Sequence, residues 1–207
     1  MITYNGIIMA KDGIWVGPKV DPYNPLNLPP NTVRVRTSDG NVPYKSTNPY
    51  IYPATYDTAT LVEGTTDVYD VYKSGTSFYD LLYNSINVVE VLGANTTGIT
   101  NMEEMFAHCT SLTTVPLFDT SSCTAMQVMF YADSSLTTIP LFDTSNVTNM
   151  ASMFHNCFKV ESGALALYQQ ASTQANPPTG HSGCFRYCGI DTVTGAAELA
   201  QIPDDWK

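Results

Sequence analysis

The residues best suited to chemistry in this chain are three histidines, five cysteines and a recurring Asn/Asp position. Catalysis needs a nucleophile with a base, a carboxylate pair or a metal. His108 and His155 are 47 residues apart, fit no constant spacing, and are expected on exposed helix faces; His181 stands alone. No Gly-x-Ser-x-Gly, P-loop or dinucleotide glycine pattern accompanies them. Cys184 and Cys188 have half the spacing of a zinc site but lack a second Cys/His pair. Cys109, Cys123 and Cys157 fall at apolar positions of the pattern described below and read as small buried hydrophobes. The expectation is a protein that is not an enzyme and holds no cofactor.

Asn95, Asp119 and Asp143 recur at a constant step of 24 residues. Two readings apply. Asp119 and Asp143 could form a carboxylate ladder for a cation such as Ca²⁺. Alternatively each Asx side chain shapes a turn, which is preferred. Carboxylates at such a spacing repel by about 1 kcal/mol or less in solvent, which a turn tolerates.

The step belongs to a larger pattern. Met105-Phe106, Met129-Phe130 and Met153-Phe154 repeat every 24 residues, as do Met102, Met126 and Met150. So do Pro116-Leu117-Phe118-Asp119-Thr120-Ser121 and Pro140-Leu141-Phe142-Asp143-Thr144-Ser145. Such a period predicts stacked repeats. Leu81-Leu82 extend the register backwards in a worn copy over 78–101, and the match ends after Val160.

Within a repeat, Met102, Met105, Phe106 and Cys109 have the spacing of one helix face. Thr100 with Glu103, and Thr124 with Gln127, resemble capping boxes, and Thr148 keeps the cap. Leu112 to Phe118 then reads as a strand. Leu112, Val115 and Leu117 are expected inward, and Thr114, Pro116 and Phe118 outward. The predicted fold is thus an α/β repeat: a short leucine-rich-repeat solenoid of 24-residue helix–strand units.

The pattern Met-Phe-x-x-Cys-x-x-Leu-Thr-x-x-Pro-Leu-Phe-Asp-Thr-Ser-x-Val-Thr-x-Met is carried here by Leu136 to Met150 and by Met153 to Cys157. It resembles the BspA-type leucine-rich repeat, also found in Mycoplasma-type surface lipoproteins, and covers about residues 78–165. That resemblance implies a surface-exposed adhesion protein. With its β-rich leader, the chain also resembles small proteins carried by phages and prophages of gut bacteria.

Three regions are expected: a β-rich docking segment over 1–77, the repeats over 78–161, and a C-terminal helical cap over 162–207. In the first, Ile2–Met9 and Ile14–Val16 would pair around Lys11-Asp12-Gly13, Thr32–Arg36 would be a strand ending at Ser38-Asp39-Gly40, and Thr66–Tyr72 another. In the last, Ser162–Ala171 reads as a helix stopped by Asn176-Pro177-Pro178, Gly195–Pro203 closes the end, and Trp206 packs there.

Net charge is −10 with only 14% charged residues, which disfavours nucleic acid and anionic membrane as partners. No stretch approaches the length of a membrane span, and Met1–Gly6 does not read as a signal peptide. The expected function is recognition or adhesion through a protein or a cell-surface glycan, on a virion or a cell surface. The alternative is a structural protein that docks through its N-terminal segment, as a homo-oligomer or on a virion. The candidate contact residues are the outward row Thr114, Pro116, Phe118, Thr138, Pro140 and Phe142, with Tyr50 and Tyr52 from a Tyr-rich stretch.

Overall fold

The structure is a computed structural model that describes residues 24–47 and 52–207, and the backbone alone of Ile2–Tyr4 and Ile7–Met9. The last two segments are strands β1 and β2, paired antiparallel with Ile2 opposite Met9. The expected Ile2–Met9 strand is therefore two strands paired with each other. Its proposed partner, Ile14–Val16, lies outside the described residues.

Four further strands form one antiparallel sheet: β3 (Thr32–Thr37), β4 (Thr58–Leu61), β5 (Val68–Tyr72) and β6 (Val88–Asn95), in the order β4-β5-β3-β6. β3 alternates as predicted. Val33 and Val35 are fully buried, while Arg34 and Arg36 face outward. Arg34 grips Asp70 of β5 with two bonds, Nε to Oδ1 at 2.6 Å and Nη2 to Oδ2 at 2.7 Å. These residues are directly opposite in the register, where an opposite-charge pair is best placed. β6, within the stretch expected as a worn repeat, bridges to the next layer through Glu90 and Thr114 and also pairs with β3, carrying the sheet across the predicted boundary at residue 77.

The expected α/β solenoid is overturned. Among the described residues, regular structure consists of these strands, α1 (Ala164–Thr173), α2 (Val193–Leu199) and one turn of 3-10 helix at Asp204–Trp206. Residues 101–162 contain neither a helix nor a named strand, only turns and single parallel bridges.

Hydrogen bonding explains why Met102–Cys109 does not coil into a helix. In a helix every N–H would serve its own segment. Here alternate N–H groups leave it: Met102, Glu104, Phe106 and His108 donate to the carbonyls of Ala125, Gln127, Met129 and Tyr131. The remaining ones close tight turns, Ala107 to Glu104 and Cys109 to Phe106. Every fourth residue is left-handed: Glu104 (φ 55°), His108 (64°), Val128 (61°), Ala132 (62°), Ser152 (55°) and Asn156 (65°). A right-handed helix cannot accommodate that recurrence. The apolar spacing is met all the same, because Met102, Met105, Phe106 and Cys109 are all fully buried.

The threonines read as caps bond between layers instead. The Thr100 Oγ1 and N–H both donate to the Thr76 carbonyl, those of Thr124 to Thr100, and those of Thr148 to Thr124. A second row runs from the outer edge of β6. Thr113 donates to Val89, Thr137 to Thr113 and Glu161 to Thr137. The sheet edge and the turn layers thus share one continuous hydrogen-bond network, which satisfies an edge that would otherwise be open.

The strand expected over Leu112–Phe118 reduces to a bridge at Thr114. Its inward and outward faces swap at the end. Leu112 and Val115 are buried as predicted, but Phe118 is fully buried and Leu117 is 39% exposed. Phe142 and Leu141 do the same. Phe118 and Phe142 pack against each other at 4.9 Å, and Phe142 stacks on Phe130 at 6.1 Å. Pro116, without an N–H, ends the pairing that would have enforced alternation.

The interior is a column of stacked rings. Phe106, Phe130, Phe154 and Phe185 follow one another at 5.3, 5.2 and 5.9 Å, and Trp206 covers Phe185 at 6.3 Å. Phe185 marks a layer the period does not announce. Residues 180–186 accept from Met150, Ser152, Phe154 and Asn156 as a 24-residue neighbour would. Its register is displaced because α1 is inserted before it. Cys184-Phe185-x-x-Cys188 nevertheless repeats Met153-Phe154-x-x-Cys157.

Candidate functional site

The sequence-derived candidates scatter. Thr114 and Thr138 are exposed, Pro116 and Pro140 half-buried, and Phe118 and Phe142 fully buried. The two phenylalanines therefore cannot form an outward apolar row; Leu117 and Leu141 take that place. Tyr50 lies outside the described residues, and Tyr52 is 75% exposed.

Asp119 accepts the Ser121 N–H at 3.0 Å and its hydroxyl at 2.6 Å, and Asp143 accepts the Ser145 N–H at 2.9 Å. The Asn95 amide donates to the Leu28 carbonyl at 2.8 Å. Each side chain thus shapes its own turn or ties down a loop. Among the described residues no three His, Cys, Asp or Glu side chains converge as a metal site.

All five thiols are free and buried. Cys109 Sγ donates to the Leu82 carbonyl at 3.1 Å, and Cys157 Sγ to that of Phe130 at 3.0 Å. Burial pushes both thiols well above their ordinary range, so neither is a ready nucleophile. Between them in the stacking order is Asp133, fully buried, with neither carboxylate oxygen accepting a hydrogen bond. Burial drives its pKa well upward. It occupies the position that Cys109 and Cys157 hold in the neighbouring layers, a substitution visible in the sequence as a break in the period.

The face built by the turns is aromatic. Tyr83, His108, Tyr131, His155 and Tyr187 form a continuous edge-to-ring column with centroid distances of 5.4, 5.3, 5.1 and 5.8 Å. Periodicity missed it because Tyr and His alternate and their spacing drifts from 24. The left-handed residues place these rings outside. His108 is itself left-handed, and Tyr131 and Tyr83 precede Ala132 and Asn84, which are. The rings are half-buried on one side, and Tyr187 is 45% exposed. Burial lowers the pKa of His108, and burial with Arg186 lowers that of His155, so both imidazoles are neutral near pH 7. At one end Arg186 lies over the Tyr187 ring at 5.1 Å. At the other, burial and then the Glu104 and Asp80 carboxylates raise the Tyr83 phenol.

A cleft of about 730 Å³ lies beside the sheet between Asp39, Tyr44, Lys45, Tyr56 and Asn87. Its polar groups serve the fold. Asn87 Nδ2 donates to Asp39 and to the Val42 carbonyl, and its Oδ1 accepts the Tyr44 N–H. Lys45 Nζ donates to the Tyr56 carbonyl at 2.6 Å and sits over that ring at 3.7 Å. These groups latch the loop to the sheet. The aromatic column, whose rings turn outward, is the better candidate.

No helix among the described residues is long and apolar enough to cross a membrane. No curated protein and no solved structure matches the chain. A family model described as Mycoplasma protein of unknown function, DUF285, matches residues 67–175. The match takes in β5, β6, the turn layers that precede α1, and α1 itself, and spans just over half of the 207 residues, so the chain belongs to that family.

Proposed function

We propose that this protein is a non-enzymatic recognition module that binds a protein or glycan ligand through the aromatic face of its turn layers. The observation that carries this reading is the column from Tyr83 to Tyr187, five half-exposed rings in mutual contact. Tyrosine supplies rigid contact area at small entropic cost. Rings fixed by a hydrogen-bonded scaffold lose little further freedom on binding. The likeness of the repeated pattern to BspA-type repeats, and of the chain to phage-borne proteins, supports display on a virion or a cell surface. A contact role for the sheet end, as an assembly or docking protein, is the rival outcome of the same test.

The test compares the full chain with a Tyr83→Ala/Tyr131→Ala/Tyr187→Ala variant in retention on bacterial cells and on glycan arrays. The wild type should be retained, and the variant should lose at least about tenfold with its urea midpoint little changed. Retention that ignores the aromatic column but is lost when Leu117 and Leu141 are replaced would move the site to the surface that carries those two leucines. Particle incorporation without any ligand retention would favour the docking role.

A further inference from the structure

The aromatic column has a regularity of its own. At two neighbouring turn positions the layers carry Tyr83-Asn84, Ala107-His108, Tyr131-Ala132, His155-Asn156 and Arg186-Tyr187. Every layer thus supplies one ring, from whichever of the two positions holds it. The centroids advance by 5.4, 5.3, 5.1 and 5.8 Å, close to the spacing of hydrogen-bonded strands. Each ring is turned steeply against the next, by 67°, 63°, 69° and 55°. In kind, the face repeats every two layers, with tyrosine in the first, third and fifth and histidine between.

The polar groups of this face are free. Among the described residues the phenols of Tyr83 and Tyr131, the imidazoles of His108 and His155 and the amides of Asn84 and Asn156 have no hydrogen-bond partner. A phenol, a neutral imidazole and a primary amide each both donate and accept. Burial keeps the two imidazoles uncharged near neutrality. The cation in contact with the column, Arg186, sits at its last ring. The matching ligand alternates apolar surface with groups that both donate and accept, and it needs no charge. That is the chemistry of a sugar. Its C–H face packs on an aromatic ring, whose face is the negative side of its quadrupole, and its hydroxyls donate and accept. A protein partner is anchored by a few side chains in desolvated pockets, and a row of equal steps is not built around one anchor.

The steps select the type of chain. In an extended β-linked chain of pyranoses, each sugar advances by about one ring and is turned over relative to the last. Like faces then recur at every second sugar, as tyrosine recurs at every second layer. An α-linked chain of the same sugar winds away from a straight row. We propose that the column binds an extended β-linked polysaccharide along its length, one sugar to a layer, with Tyr83, Tyr131 and Tyr187 stacking on alternate sugars. His108 and His155 bond hydroxyls between them. This rests on the recognition reading and specifies its ligand.

Calorimetry on the full chain with cello- and chito-oligosaccharides of two to six sugars tests this. Affinity for at least one series should rise with each added sugar and level off near five, one for each ring. Maltohexaose, which is α-linked, should bind at least about tenfold more weakly than the better series at equal length. Tyr131→Ala, at the middle ring, should weaken the longest oligosaccharide about tenfold or more. Tyr72→Ala, at an exposed ring on the sheet, should change it less than about twofold. The length and linkage series use the wild type alone, so they decide the matter even if a variant fails to fold. No binding of either series, affinity indifferent to length or linkage, or equal losses at Tyr131 and Tyr72 each overturn the inference. If the oligosaccharides fail while retention on cells still depends on the column, recognition stands with a different ligand class; if both fail, so does the recognition reading.

Discussion

Replacing Asp133 by cysteine should stabilise the protein, and the gain should grow with pH. Asp133 is fully buried among the stacked layers, and neither carboxylate oxygen has a hydrogen-bond partner. The layers on either side carry Cys109 and Cys157 at this position, so a thiol fits the space. Leaving a buried polar group unsatisfied costs about 1–3 kcal/mol. Ionisation adds a second cost. The folded-state pKa lies well above the ordinary 3.8. A raised folded pKa gives stability that is present below the unfolded value and is lost as pH rises toward the folded one. Each pH unit within that window costs the wild type about 1.4 kcal/mol through this residue. Asp80 titrates partly in the same window, but it is common to both proteins and cancels in the difference.

The assay is urea denaturation, in reductant, from near pH 4 to pH 8. Near pH 4 the Asp133→Cys protein should exceed the wild type by about 1–3 kcal/mol. Toward neutrality the difference should widen by up to about 1.4 kcal/mol per unit, and it should level off above the folded pKa. A variant less stable at every pH, or a difference flat across the range, would refute the reasoning. The first outcome would mean that the carboxylate is satisfied, the second that it is not buried.

Phe130 lies in the middle of the ring column between Phe106 and Phe154 and also touches Phe142; Phe130→Ala should cost about 3–5 kcal/mol by chemical denaturation, and a cost below about 1 kcal/mol would deny the column its place in the core. Gly163, at φ 102°, caps α1 where an added Cβ would collide with the Ile139 carbonyl; Gly163→Ala should lower the melting temperature by more than an exposed helix Gly→Ala change could raise it. The five buried thiols should be unreactive toward an aromatic disulfide reagent in native buffer and should all react in guanidinium; rapid native labelling of Cys109 or Cys157 would contradict their burial.

Some of this was written locally. Which residues go inside was legible from the 24-residue period, because burial of Met102, Met105, Phe106, Cys109 and Leu112 depends on side-chain chemistry repeated along the chain. The turns at Asp119 and Asp143 were legible for the same reason, since an Asx side chain bonds within two residues of itself. β3 was readable from Thr-Val-Arg-Val-Arg. The conformation between those anchors was not. A spacing of i, i+3, i+4, i+7 puts one face inward for a helix and equally for successive tight turns. The choice fell to the neighbouring layer, whose carbonyls capture alternate N–H groups and hold every fourth residue left-handed. That decision also moved the site. It set Phe118 and Phe142 inside and brought Tyr83, His108, Tyr131, His155 and Tyr187 into one outward column. The sequence by itself therefore determined which side chains leave water, a property of each residue. Only the tertiary structure decided the backbone path and the exposed face, because both depend on hydrogen bonds between residues 23 or more positions apart.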